Sequence, residues 1–150
     1  MEKIASFTVD HDVLEIGMYI SRIDDDIVTY DLRMVKPNQG IFLDNDSLHT
    51  IEHLFATFAR NSELNKKVIY VGPMGCRTGF YLIMRDCLNV DAINLVKNSF
   101  EFVKNYEGDI PGNTKKECGN YLEHNLEKAK RDVVPLLNKL QNYTEEMLKY

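Results

Sequence analysis

The stretch that most constrains this chain is residues 44–61, DNDSLHTIEHLFATFARN, which predicts a single amphipathic helix. Asp46 or Ser47 is suited to cap its start, because short polar side chains satisfy the free amides of a first turn. Apolar residues then recur at spacings of three and four, at Leu48, Ile51, Leu54, Phe55 and Phe58. This apolar face must be buried against the rest of the fold.

A separate wedge of the same helix carries His49, Glu52 and His53, together with Ala56 and Arg60. His49 to His53 read H-x-x-E-H, in which two histidines four residues apart project from successive turns. Both imidazoles can therefore reach one metal ion, at about 2.0 to 2.1 Å for zinc, while Glu52 stays off the metal and is free to move protons. The opposing interpretation is a solvated polar face that happens to hold two histidines.

The composition is that of an ordinary globular protein and argues against several classes of function. With 150 residues, 44% hydrophobic and 27% charged, the chain fits a single domain spanning 1–150. No apolar run could span a bilayer, and the start MEKIASFTVDH lacks a secretory signal, so we expect a cytoplasmic protein without a membrane role. A net charge of -5 without a basic stripe disfavours nucleic-acid binding.

Upstream of the helix, the residue pattern predicts strands. Residues 4–10 are rich in β-branched and aromatic residues with a period near two, which favours a strand that ends just before His11. Residues 18–23 and 27–35 are typical of a hairpin turned by three aspartates. In its second strand Arg33 lies opposite the apolar residues, so the pattern alone favours a solvent-facing charge.

Downstream of the helix, two more strands and further helices are predicted. The apolar runs 68–71 and 80–84 flank GPMGCRTG, a glycine-rich turn with Cys76 at its tip. Residues 91–104 have helical periodicity with Asp91 as a possible cap, and a last helical stretch from about residue 121 should break at Pro135. The order predicts an α+β fold with a mostly antiparallel sheet and helices packed on one face.

Two histidines do not complete a catalytic metal site, which usually takes three protein ligands and keeps one position open. Spacing alone does not choose the third among the candidates, which are His11, His124, the carboxylates and three cysteines. Three cysteines are too few for a disulfide framework. Cys87 follows an apolar run and favours a buried small side chain. Cys118 lies in a polar loop beside a glycine, which suits a ligand, and Cys76 lies beside Arg77, where a cation or backbone amides favour the reactive thiolate.

Five sequence blocks carry a resemblance to a known family. They are SFTVDH (6–11), YDLRMVKPN (30–38), HTIEHLFATFARN (49–61), PMGCRTGFYL (73–82) and CGNYLEHNLE (118–127). In order and spacing they resemble S-ribosylhomocysteine lyase, a bacterial enzyme that makes the autoinducer-2 precursor. The resemblance implies metal-dependent aldose–ketose isomerisations followed by β-elimination, which release homocysteine and 4,5-dihydroxy-2,3-pentanedione.

The resemblance also implies roles for particular residues and a partner. Its metal ligands match His49, His53 and Cys118, and the metal is ferrous iron, for which zinc or cobalt may substitute. Its two general acid/base residues match Glu52 and Cys76. Residues that line its substrate pocket match Ser6, His11 and Arg33. Its members are homodimers with active sites at the interface.

One position departs from the family pattern, and two other functions stay open. Tyr70 stands where typical members have an aspartate associated with the homocysteine end, which predicts weaker substrate binding. An inverted-motif zinc peptidase would use Glu52 to activate water, with a carboxylate as its usual third ligand. A non-enzymatic metal-storage domain is the other alternative, but it would not require Cys76 in a glycine turn.

Overall fold

A four-stranded antiparallel sheet forms the centre of the computed structural model, which describes residues 1–150. The strands are β1 (Gly17–Asp24), β2 (Ile27–Arg33), β3 (Val68–Pro73) and β4 (Gly79–Arg85), in the spatial order β1-β2-β4-β3. Both predicted hairpins are confirmed. Asp25 turns the first hairpin with a φ of 55°, a left-handed conformation that aspartate tolerates better than most residues.

Helices cover one face of this sheet. They are α1 (Asn45–Asn61), α2 (Asn89–Asn105), α3 (Leu126–Asp132) and α4 (Val134–Lys139). Short 3₁₀ turns lie at Ala5–Phe7, Asn65–Lys67, Leu140–Asn142 and Glu145–Leu148. The predicted α+β class is confirmed. No helix combines the length and the hydropathy that a bilayer crossing needs.

The H-x-x-E-H helix α1 lies at the middle of the core. The ring of its Phe55 packs edge-on against Phe80 of β4, at 6.4 Å, and against Phe100 of α2, at 5.5 Å. Ile51 and Leu54 on the same face are fully buried. Because the apolar face is held between sheet and helix, the polar wedge of α1 is turned away from the core.

The predicted strand at residues 4–10 is wrong. This segment forms a 3₁₀ turn at Ala5–Phe7 and further turns, and Ile4 and Phe7 are exposed. The Thr8 hydroxyl donates to the Ala5 carbonyl at 2.7 Å, and the Asp10 carboxylate accepts from the amide of Asp12 at 2.9 Å. Such local bonds give the backbone partners that a sheet ladder would otherwise supply.

Helix α1 begins at Asn45, one residue after the predicted start, whereas α2 begins at Asn89, two residues before its predicted start, and the predicted caps of both helices are wrong. Asp44 holds the capping position of α1 without a side-chain capping bond. The hydroxyl of Ser47 instead donates to the carboxylate of Asp132 at 2.7 Å, which ties α1 to α3. Leu88 precedes α2, and Asp91 lies in its first turn. Neither helix therefore uses a side-chain hydrogen bond as its cap.

The C-terminal helical stretch begins later than predicted, at Leu126 rather than near residue 121. The side chain of Asn125 caps α3 by accepting from the amide of Lys128 at 3.0 Å. The predicted break at Pro135 is confirmed, since this proline lies in the first turn of α4. Residues 106–125 are thereby left as a loop that crosses the polar side of α1.

Candidate active site

His49 and His53 on the polar wedge of α1 meet Cys118 from the crossing loop. The Sγ atom of Cys118 lies 3.4 Å from Nε2 of His49 and 4.0 Å from Nε2 of His53. Nδ1 of His49 lies 2.9 Å from the carbonyl oxygen of Glu123, and Nδ1 of His53 lies 2.7 Å from that of Pro111. A carbonyl only accepts, so each Nδ1 carries the proton and each Nε2 lone pair is directed toward Cys118.

His124 is the fourth member of this cluster. Its ring stacks on His49 with 4.0 Å between centroids and stands edge-on to His53 at 4.8 Å. Its Nε2 is buried without a hydrogen-bond partner, while its Nδ1 lies 3.0 Å from the Thr50 hydroxyl. Burial, followed by the neighbouring imidazoles of His49 and His53, lowers the pKa of His124 to about 4. The ring is therefore neutral near pH 7 and able to face a cation.

The donor set suits a divalent transition metal. The potential ligand atoms of His49, His53, Cys118 and His124 all lie within 4.8 Å of one another. Imidazole and thiolate are shared ligands of zinc and iron, and a buried Nε2 without a partner among such donors fits a cation site. No aspartate or glutamate belongs to the cluster, whereas the peptidase interpretation expects a carboxylate as third ligand.

Glu52 lies beside this cluster rather than within it. Together with His49 it lines a concavity of about 380 Å³ whose opposite wall is the β3–β4 hairpin tip, including Pro73, Met74 and Gly75. A carboxylate in that position is free to exchange protons with a molecule in the concavity.

A second concavity, of about 330 Å³, contains Cys76 and is called here the thiol pocket. The other residues lining it are Ser6, Phe7, His11, Arg33, Pro73, Met74, Gly75 and Tyr81. Sequence reasoning missed Phe7 and Tyr81. Alternation along β4 already placed Tyr81 on the sheet face opposite the core, but only the N-terminal segment folding over that face makes it a pocket wall. Burial raises the pKa of Tyr81, and the nearby Asp31 adds to this effect.

The two concavities share Pro73, Met74 and Gly75 as a common wall. The structure divides the eight candidate residues into two groups. One group consists of His49, His53 and Cys118, with Glu52 beside them. The other group lines the thiol pocket and consists of Ser6, His11, Arg33 and Cys76. The hairpin tip thus lies between the candidate metal ligands and the Cys76 thiol. The eight candidate residues therefore do not line a single pocket of one chain.

Arg33 is buried, with 3% of its side chain exposed, so the solvent-facing interpretation is wrong. Its Nε and Nη2 donate to the Asp31 carboxylate at 3.1 and 2.5 Å, and the Tyr150 hydroxyl donates to the same carboxylate at 2.8 Å. Burial alone would lower the pKa of Arg33, but the hydrogen bond and charge of Asp31 more than offset it and raise the pKa. The terminal segments that cover this sheet face explain the burial.

Comparison with known proteins identifies the family of this chain. The model of the S-ribosylhomocysteinase (LuxS) family matches residues 4–147. The chain belongs to the S-ribosylhomocysteinase family. The S-ribosylhomocysteine lyases of Finegoldia magna and Borreliella burgdorferi are each 47% identical to it, over 155 and 156 residues. That of Clostridium acetobutylicum is 44% identical over 156 residues, and each comparison covers 100% of this chain and 99% of the relative.

The S-ribosylhomocysteinase match includes all five resembling blocks and all eight candidate site residues, since these lie between positions 6 and 127. The peptidase and metal-storage interpretations are not favoured by these matches. The individual roles given to the eight residues stay predictions.

Proposed function

We propose that this chain is an S-ribosylhomocysteine lyase, a carbon–sulfur lyase that converts its substrate to homocysteine and 4,5-dihydroxy-2,3-pentanedione. The observation that carries the proposal is that the chain presents two proton-moving groups in two separate concavities, Glu52 beside the candidate metal ligands and Cys76 in the thiol pocket, with the hairpin tip at Pro73–Gly75 as a wall of both. Two groups able to move protons thereby flank one segment, next to a cluster fit for a metal. The catalytic unit is a single domain, 1–150, supported by one cluster of 27 buried core residues.

The chemistry explains why two proton-moving groups are needed. β-Elimination of the thioether requires an acidic C–H beside the carbon that bears sulfur, and a plain ribose has none. The sugar carbonyl must first migrate along the chain, and each move takes a proton from one carbon and returns one to another. Glu52 as carboxylate and Cys76 as thiolate serve different carbons of one bound sugar, each accepting a proton and donating it later.

His49, His53 and Cys118 are the metal ligands in this proposal, and His124 packs against both imidazoles. A bound metal supplies Lewis-acid stabilisation of negative charge on the sugar oxygens, which is worth several kcal/mol. The ion is ferrous iron in the cell, with zinc or cobalt as substitutes, and the shared imidazole and thiolate donors support this range. Metal analysis of protein isolated without oxygen tests the assignment, and zinc as the native metal would contradict it.

Ser6, His11 and Arg33 bind the substrate. They line the pocket that contains Cys76, and Arg33 supplies a buried cation there. The ring of His11 is oriented by Nδ1, which lies 2.9 Å from the carbonyl of Val9. A hydroxyl, an imidazole and a guanidinium can all bond to a polyhydroxylated sugar.

The active enzyme is a homodimer with active sites at its interface. Exposed apolar side chains beside both concavities support this proposal, because a partner subunit seated there would remove their surface from water. Phe7, 68% exposed, lines the thiol pocket, and the exposed Phe42 lies 5.7 Å from the guanidinium of Arg77 at the other concavity.

We also propose that the protein works in a reducing compartment, the cytoplasm, because its three cysteines are all free.

Release of free thiol from S-ribosylhomocysteine tests the activity. Anaerobically purified, metal-replete protein should release homocysteine, whereas Cys76→Ala and Glu52→Gln should retain metal and lose turnover. Cys87→Ala is the matched control, since Cys87 packs against the core away from both concavities and should leave the rate unchanged. Absence of thiol release from metal-replete protein, or a Cys76→Ala rate equal to wild type, would refute the lyase proposal.

Mixed dimers test the interface. If one active site takes Arg33 from one subunit and Glu52 from the other, an Arg33→Ala subunit paired with a Glu52→Gln subunit regains one intact site. Co-expression with two different affinity tags would isolate this heterodimer. Activity above that of either parent homodimer is the expected result. A monomer in sedimentation velocity would contradict the proposal.

A further inference from the structure

The hydroxyl of Thr78 connects Arg33 to Cys76 inside the thiol pocket. Thr78 is 2% exposed, and its Oγ1 lies 3.0 Å from Sγ of Cys76. The same oxygen accepts a hydrogen bond from Nη1 of Arg33 at 2.7 Å. That Nη1 lies 4.0 Å from the sulfur, so the hydroxyl is the closer of the two groups to Cys76.

The donors at these atoms decide the direction of the bonds. A guanidinium has no acceptor, so Arg33 must donate to the Thr78 oxygen. A thiolate has no hydrogen to donate, so against ionised Cys76 the single hydrogen of the Thr78 hydroxyl is the one that lies between Oγ1 and Sγ. We propose that Thr78 is a positioning residue for Cys76, whose hydroxyl donates to Sγ and stabilises the thiolate. The inference deepens the proposed function, since it rests on Cys76 as a proton-moving group.

The backbone holds Thr78 in this position. Its carbonyl accepts from the amides of Met34 and Val35 at 2.9 and 3.2 Å, which bonds the hairpin end to the segment after β2. A Cβ added to Gly79 would lie 1.9 Å from the Leu32 carbonyl oxygen, so only glycine lets β4 approach β2 this closely. This close approach places the Thr78 hydroxyl next to Arg33.

Hydrogen bonds to Asp31 hold the Arg33 guanidinium in place, so its positive charge stays next to the Thr78 hydroxyl. Its Nε and Nη2 donate to Asp31, which is 1% exposed, and the hydroxyl of Tyr150 donates to the same carboxylate. With these donors engaged, Nη1 is the guanidinium nitrogen that faces Thr78. Hydrogen bonds to charged groups are about twice as strong as neutral ones, which makes a hydroxyl polarised by Arg33 a strong donor to a thiolate.

Thr78→Val tests the proposal, because valine keeps the shape and removes the hydroxyl. The readout is the rate at which iodoacetamide alkylates Cys76 in zinc-loaded protein, followed by peptide mass spectrometry from about pH 6 to 10. Losing a hydrogen bond to a charged group lowers the thiolate population about ten- to a hundredfold at low pH. The less stabilised thiolate is more nucleophilic, so net alkylation slows about three- to tenfold at low pH and becomes faster than wild type at high pH.

This crossing of the two pH profiles separates the proposed role from a structural one. A change in access to Cys76 would alter the rate by one factor at every pH, and that result, or no change, would overturn the proposal. Thr78→Ser should restore the wild-type profile, and Thr57→Val on α1 should not alter it. Thr78→Ala replaces Thr78→Val if the latter fails to fold.

The assay needs no substrate, so it separates failure of this inference from failure of the proposed function. A crossing profile without thiol release from wild type would keep the hydrogen bond and refute the lyase activity. Thiol release by the wild type, together with an alkylation profile that Thr78→Val leaves unchanged, would keep the lyase activity and refute the hydrogen bond. If both hold, Thr78→Val should lower kcat with KM and metal content unchanged, because the hydroxyl acts through Cys76.

Discussion

Replacing Asp31 by asparagine removes the charge that compensates a buried arginine. Asp31 and Arg33 have 1% and 3% of their side chains exposed, and the carboxylate accepts two hydrogen bonds from the guanidinium. Asparagine has nearly the same shape but one acceptor oxygen and no charge. Arg33 would then remain buried with only Thr78 and one amide oxygen as partners.

The expected cost follows from the burial of the pair. Removing one member of a buried ion pair destabilises a protein by about 3 to 5 kcal/mol, because the other charge is left without compensation. The amide oxygen and the bond to Thr78 keep part of the solvation of Arg33, which places Asp31→Asn near the lower end, at about 3 kcal/mol. Removing both charges with Asp31→Asn and Arg33→Met should cost clearly less than the sum of the two single changes.

Urea unfolding followed by circular dichroism measures these differences. All variants are compared at one protein concentration and one metal loading, since any association of chains and any bound metal would shift the apparent stability. Asp24→Asn is the matched control, because Asp24 pairs with Arg22 at 2.7 Å on the same sheet while both side chains are largely exposed. It should leave the unfolding midpoint unchanged.

Two results would refute this reasoning. One is a midpoint for Asp31→Asn that equals that of Asp24→Asn, which would mean that burial of the pair carries no energetic weight. The other is simple additivity in the double variant, which would mean that Asp31 and Arg33 do not depend on each other.

Three further predictions concern the metal, the tyrosines and the substrate. Cys118→Ala should weaken metal binding more than about a hundredfold, since loss of outer contacts alone costs up to that much; full metal stoichiometry under competition with a chelator would remove Cys118 from the ligand set. Burial raises the pKa of Tyr19 to about 12, and burial likewise raises those of Tyr30 and Tyr150 above the ordinary 10. Because these folded-state values are raised, their contribution to stability is complete below pH 10 and is lost as pH rises toward 12. The part of the tyrosinate absorbance that Tyr→Phe variants assign to Tyr19, Tyr30 and Tyr150 should therefore appear together with unfolding, and ionisation of these three near pH 10 in a chain with native circular dichroism would contradict this. Tyr70→Asp should lower KM for S-ribosylhomocysteine with kcat unchanged, by giving the amino group a carboxylate partner; an unchanged KM would show that Tyr70 does not limit binding.

Local sequence predicted what depends on near neighbours. The spacing of the apolar residues in α1 predicted which face of the helix is buried. The positions of His49 and His53 on one side of that helix follow directly from their i, i+4 spacing. Both hairpins and the break at Pro135 were predicted for the same reason, since turn residues and proline act within a few positions. The strand predicted at 4–10 failed because its residues found local bonds and no neighbouring strand.

The metal cluster shows the limit of such reasoning. Cys118 and His124 were two candidates among several for the third ligand, and both turn out to lie at the cluster. Their positions follow from a loop that crosses α1, where Pro111 and Glu123 bond to the histidine rings. A spacing of 69 residues between His49 and Cys118 holds no geometric information until that loop is placed.

The sequence by itself therefore determined the chemistry-bearing helix, with His49, Glu52 and His53 on one wedge, because a helix converts spacing into direction without help from the rest of the chain. Only the tertiary structure decided that His124 joins that cluster and that Arg33 is buried against Asp31 and Thr78. These arrangements depend on which distant segments cover each surface, and burial and long-range contacts belong to the packed whole rather than to any local pattern.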